Sequence, residues 1–458
     1  MKKILGVIVA CISLSIGMVF IGCSFEPEVK SVTSGGLDRK DVLALSHLKK
    51  THTTDEAVLR SELAGFLKES SAARSAGSNA SVITNVSVFS TGLDKGFSAS
   101  ARNTRSVSED TQEEAEIPFY VYTLENEAEE TKGFALASGD DRIGNILAVA
   151  ENGVYDEEHP FLDIFYANLD GYIQETLDIY NSITDEDIQN ALEKTGGAER
   201  AVLANVTSDP AVIMKTRWNQ NPSPYWDIVN EARGRANYSD ANKYLTGCIP
   251  TAAAQIMAFH KYPAKCSASG YTNITYNWND MTSYPDARYI SNSSARRGIA
   301  ALMHEVGLKS TGIKYDTESS KDGTTAYLTP DVFIKMGYTT PCPLQAYDFS
   351  LIMKSIDAKK PVAITGHAKR TVYWRKFLGI TVYKRTEYSE GHAWVIDGYR
   401  VNNLGVYVHC NLGWGGHADG WYYSGVFDTN NVREATRAAD KDGYYAYRLG
   451  IIPHITRP

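Results

Sequence analysis

The run TGCIPTAAAQIMAFHKYP, Thr246 to Pro263, restricts the fold of this chain more than any other stretch. Beyond Pro250 its residues are small and apolar, and Pro263 ends it. Proline suits the first turn of a helix, where its missing N–H costs nothing. The pattern predicts a buried helix over Thr251–His260, with Ile256 and Met257 on one side. Cys248 then stands at a helix N-terminus, where free N–H groups and the helix dipole favour a thiolate. Taken alone, the position also fits a small buried hydrophobe, as most free cysteines are.

The start of the chain bears on the other cysteines. Met1-Lys2-Lys3 precedes an apolar run, Ile4 to Ile21, and then Gly22-Cys23-Ser24. This predicts an export signal over residues 1–22. The cysteine after Gly22 resembles a lipobox, with Phe20 imperfect at its first position, so Cys23 is expected to be lipidated and to anchor the chain to a bacterial membrane. An ordinary signal or an uncleaved anchor are the alternatives. Four further cysteines, Cys248, Cys266, Cys342 and Cys410, are too few for a disulfide framework in 458 residues. With no CxxC and no HExxH, no metal or other cofactor is expected. A net charge of −8 with no basic tract argues against a nucleic-acid partner.

Residues 23–38 read as a tether. Residues 39–183 read as a compact α+β domain. It has helical spacing at Asp55–Glu69 and Phe161–Tyr180, alternating strands at Ile117–Thr123 and Gly133–Ser138, and loop with short strands over Ser70–Glu116. Residues 184–210 read as a linker, and 211–458 as a second, larger domain.

A thiolate nucleophile needs a base, a group to orient the base and an oxyanion donor. His392 opens the strand-like run GHAWVIDGYR, and Asn411 closes VYVHCN, with turn residues between them at Val401–Gly405. A hairpin folded about the midpoint of positions 392 and 411 sets His392 opposite Asn411, at about 4.5–5.5 Å between Cβ atoms. The asparagine amide would fix the imidazole, and Trp414 in the glycine-rich loop beyond would shield that bond. The Cys248 N–H is one oxyanion donor, and Gln220 in WNQNPSPYW is the candidate for a second.

In this order, WNQNPSPYW, TGCIPTAAAQIMAFHKYP, GHAWVIDGY and NLGWGGHADGWYY resemble the streptopain and interpain family of bacterial cysteine peptidases. The resemblance implies an α+β, papain-like catalytic domain behind an inhibitory propeptide, to which residues 39–183 are similar. It implies Cys248 as nucleophile, His392 as proton shuttle, Gln220 in the oxyanion hole and Asn411 as orienting residue. Its partners would be protein or peptide substrates and its own propeptide. Family members commonly carry tryptophan after that asparagine, where this chain has Leu412. The competing readings are a silent binding protein on the same fold, a Cys/His amidase or transglutaminase, and an adhesion lipoprotein.

Overall fold

The computed structural model describes residues 37–74, 81–91, 117–126, 131–155, 159–194, 212–315, 328–339, 342–377, 380–402, 404–428 and 449–458. The export signal with Cys23 and most of the linker lie outside them.

The first part holds α1 (Arg39–Ser46), α2 (Glu56–Arg74), β1 (Val82–Thr91), β2 (Ile117–Asn126), β3 (Thr131–Ser138), β4 (Ile146–Ala150), α3 (Pro160–Asn181) and α4 (Asp185–Lys194). Two expectations are corrected here. Helix α2 runs further than expected, to Arg74. The stretch read as linker begins with a helix, because α4 docks on α1 through Lys194–Asp41 and Lys40–Asp187 ion pairs. Helix α3 starts with Pro160 in its first turn and buries Phe161, Ile164, Phe165 and Leu169 at helical spacing.

The second part holds α5 (Asp227–Glu231), α6 (Cys248–His260), α7 (Trp278–Met281), α8 (Ser293–Lys309), α9 (Asp331–Lys335), β5 (Gln345–Ala346), α10 (Phe349–Asp357), β6 (Val362–Phe377), β7 (Ile380–Asn402), β8 (Gly405–Asn411), β9 (Gly420–Tyr423) and β10 (Gly450–Ile452). Helices α6 and α8 share one core with Trp218, Met281 and Phe333, and this helical layer closes on the sheet through Ala363, Ala393 and Val395. The α+β expectation is met.

Both parts contribute to one sheet, in the order β1-β2-β3-β4-β9-β8-β7-β6-β10-β5. The join is antiparallel pairing of β4 with β9, Val149 opposite Trp421 and Ala150 opposite Gly420. Helix α3 covers one face near this join, where Phe161 and Phe165 meet Trp394, Tyr422 and Phe427. Helix α2 covers the other, packing Leu63, Phe66 and Leu67 with Tyr407 and Trp421. The buried Arg400 donates to the Phe66 carbonyl and to Ser70 Oγ at 2.8 Å.

Candidate active site

Helix α6 begins at Cys248 because Gly247 precedes it at φ 98°, a left-handed conformation open to glycine. The helix is three residues longer at its start than its apolar spacing indicates, with Pro250 in the first turn. Cys248 is partly exposed and stands against β7, where the Ala393 N–H points at its sulphur. The thiol is not depressed in this closed chain, which corrects the sequence expectation. Burial pushes it up, opposed by the N–H groups of Ala393, Ile249 and Cys248 itself.

His392 is the residue before Ala393 in the same strand, one position from the N–H that faces the thiol. His392 is buried, with Nε2 2.9 Å from the Leu412 carbonyl. A carbonyl only accepts, so Nε2 carries the proton and Nδ1 keeps its lone pair. Burial pushes the imidazole down to about 3, opposed by the Leu412 carbonyl. Burial thus works against the charged form of each group in this state.

Asn411 does not face His392. The β7–β8 ladder pairs Asn402 with Gly405, shifts between Ile396 and Gly398, and then pairs Val395 with Asn411. The turn lies further along the chain than the midpoint placed it, which displaces the pairing by four residues, and the irregularity gives one residue back. The Asn411 side chain is buried elsewhere: its Nδ2 donates to the Thr216 carbonyl at 2.7 Å, and its Oδ1 accepts from Gln255 Nε2 at 2.8 Å. The orienting acceptor for His392 is the main chain of Leu412. Leu412 is held in turn by its N–H on Asp419 Oδ1 at 2.7 Å. Burial raises the Asp419 carboxyl to about 6, opposed by that bond.

Trp414 does more than shield a bond. Its ring stacks on His392 itself, 4.0 Å between centroids and 13° from parallel. The Trp414 loop is fixed by a bridge from Trp414 to Asn219 and by the Gly415 N–H on the Trp218 carbonyl. Gln220 follows directly, and its carbonyl accepts the Thr246 N–H at 3.0 Å, which sets it beside the loop leading to Cys248. Among the described residues, no group of three or more His, Cys, Asp or Glu side chains is arranged to hold a metal ion.

Sequence reasoning missed Leu412, whose backbone acts without regard to residue type, and Gln255, the one polar side chain between Ala252 and Phe259. It also missed His159, immediately before α3. The His159 ring lies edge-on to Trp414 at 4.5 Å and stacks on His417 at 5.2 Å.

Residues 218–422 match the model of the Peptidase C10 family. Streptopain of Streptococcus pyogenes is 23% identical over 364 residues, which is 73% of this chain and 80% of that protein. Among solved structures, a fragment of prointerpain A from Prevotella intermedia shares 18% identity at a TM-score of 0.47, covering 74% of this chain and 96% of that one. Active interpain A from the same organism shares 22% identity at a TM-score of 0.34, covering 53% of this chain and 94% of that one.

Proposed function

The segment 218–422 belongs to the Peptidase C10 family, which makes the chain a cysteine-type peptidase, and from that premise we propose that it is the exported, lipid-anchored precursor of an endopeptidase held inactive by its own N-terminal part. The observation that carries the chemistry is Cys248, at the start of α6, set against the strand residue next to a His392 whose tautomer is fixed by Leu412. With Nε2–H engaged, Nδ1 is the free base. It takes the Cys248 proton as sulphur attacks the scissile carbonyl. The Cys248 N–H, at a helix end that has no internal acceptor for it, and the Gln220 amide hold the oxyanion. The resulting imidazolium protonates the leaving amine, and His392 then activates water to hydrolyse the thioester.

Support for the inactive state comes from the packing of the first part around the second. It extends the sheet at β9, covers both faces with α2 and α3, and sets His159 against the tryptophan that stacks on His392. Support for export and lipidation is the sequence Met1 to Cys23.

The test incubates the matured chain, beside its uncut precursor, with casein and a thiol, with and without a cysteine-directed inhibitor. Inhibitor-sensitive cleavage is expected, lost in Cys248→Ala with the fold unchanged. A Cys248→Ala variant that cleaves casein as well as the parent chain would reject this reading.

A further inference from the structure

Resting on that peptidase reading, we propose that Gln255 is a positioning residue, which acts through Asn411 to lock the Gln220 segment and the carbonyl that holds His392 onto the helix carrying Cys248. Gln255 lies seven residues after Cys248. At 100° per residue it returns to within about 20° of the same helix face, roughly 10 Å along the axis. Its side chain is fully buried in an otherwise apolar run. A buried amide is costly unless its polar atoms are bonded, so this position serves packing less well than leucine would.

Both ends of the amide are engaged. Oε1 accepts the Trp218 N–H at 2.9 Å, and Nε2 donates to Asn411 Oδ1 at 2.8 Å. Asn411 Nδ2 donates to the Thr216 carbonyl at 2.7 Å, so the main chain from Thr216 to Trp218 closes a ring. The ring has one direction. A backbone N–H only donates and a carbonyl only accepts, so neither amide can turn over without setting like against like. Thr216, Trp218, Gln255 and Asn411 are all buried, while Arg217 between the first two is exposed.

The ring joins three parts of the site. Trp218 leads in two residues to Gln220. Asn411 precedes Leu412, whose carbonyl takes the His392 proton. Gln255 itself belongs to the helix of Cys248. The separation between nucleophile, base and oxyanion donor is thereby set at one buried point, which none of the three reacting groups touches.

The experiment uses the full chain after maturation, with active sites counted by titration so that every rate is per competent site. Two readouts are taken: kcat and KM on a peptide substrate, and the pH profile of Cys248 alkylation by iodoacetamide, which needs no substrate binding. Gln255→Leu is expected to lower kcat about tenfold with KM within about twofold, since misplacing reacting groups penalises the reaction and not ground-state binding. Its alkylation profile should move toward that of a free thiol. Gln255→Glu provides the second variant, for the case that leucine prevents folding. A neutral carboxylic acid at 255 accepts from Trp218 and donates to Asn411, whereas a carboxylate sets an acceptor against Asn411 Oδ1. This variant should regain activity as pH falls and lose it as pH rises, adding a limb absent from the wild-type profile.

Wild-type kcat and alkylation profiles in the variants would overturn the proposal, as would losses that disappear per titrated site or a Gln255→Glu variant without the acid recovery. A chain whose Cys248 alkylation depends on Gln255 but which hydrolyses no peptide would reject the peptidase reading and leave the positioning role standing.

Discussion

His392 is the residue on which the closed state bears hardest. Its ordinary value of 6.5 falls to about 3 in the folded chain. Between those values the unfolded chain binds a proton that the folded chain does not, so stability rises with pH across that window. The contribution is complete above 6.5 and is lost as pH falls toward 3. At pH 5 the deficit from this one group is about 2 kcal/mol. His260 and His304, each lowered to about 4 by burial, act in the same direction. Asp419, raised to about 6, acts oppositely between about 6 and its ordinary 3.8. His454 is lowered as well, and Glu62 and Glu175 are raised by burial as Asp419 is; the three large histidine shifts set the sign, so the Tm of the precursor should fall between pH 7 and pH 5, with a shallower fall in His392→Gln. Equal slopes in the two proteins would remove His392 from this account. The candidate site was visible in the sequence at the residues proposed to act through side chains, Cys248 and His392. It was hidden at Leu412, where a carbonyl does what an asparagine side chain was expected to do.

Among the elements, α6 was the most readable, because an apolar run with a proline stop and a glycine before the cysteine admits few other conformations. The β7–β8 hairpin was readable as a hairpin but not in register. The segment Val401–Gly405 offers several turn positions, and nothing in its composition announces the irregularity between Ile396 and Gly398. A slip of three residues moved Trp414, and not Asn411, onto the histidine, and it turned the asparagine toward Gln255. The β4–β9 join yields a test at this scale. A Cβ built on Gly420 would lie 2.3 Å from the Val149 carbonyl oxygen and 2.7 Å from Ala150 Cα, both in β4. Gly420→Val should therefore disfavour the closed state by about 1–3 kcal/mol, the usual cost of overpacking. Maturation should quicken by roughly tenfold, while kcat/KM of the matured enzyme stays near wild type. Unchanged maturation kinetics would mean that the strand join does not govern opening.

Across the whole molecule, the two-part organisation could be read from composition, but the sharing of one sheet could not. Strand alternation reveals which face of a strand is buried and says nothing of what pairs with its edge. The first part holds the second by an edge and by both faces, with Arg400 reaching into α2 and Trp394 into α3. None of those contacts involves the connection between the parts. Severing that connection therefore leaves every one of them in place and changes only the statistics of reassociation, from a tethered neighbour at an effective concentration near millimolar to a free partner at whatever concentration the surroundings hold. Cutting and opening become separate events. The specific activity of fully cut protein should climb when the sample is diluted and sink when it is concentrated, whereas activity proportional to protein at every dilution would show that the fragments part at once. The volume into which the parted fragments can diffuse then becomes the trigger.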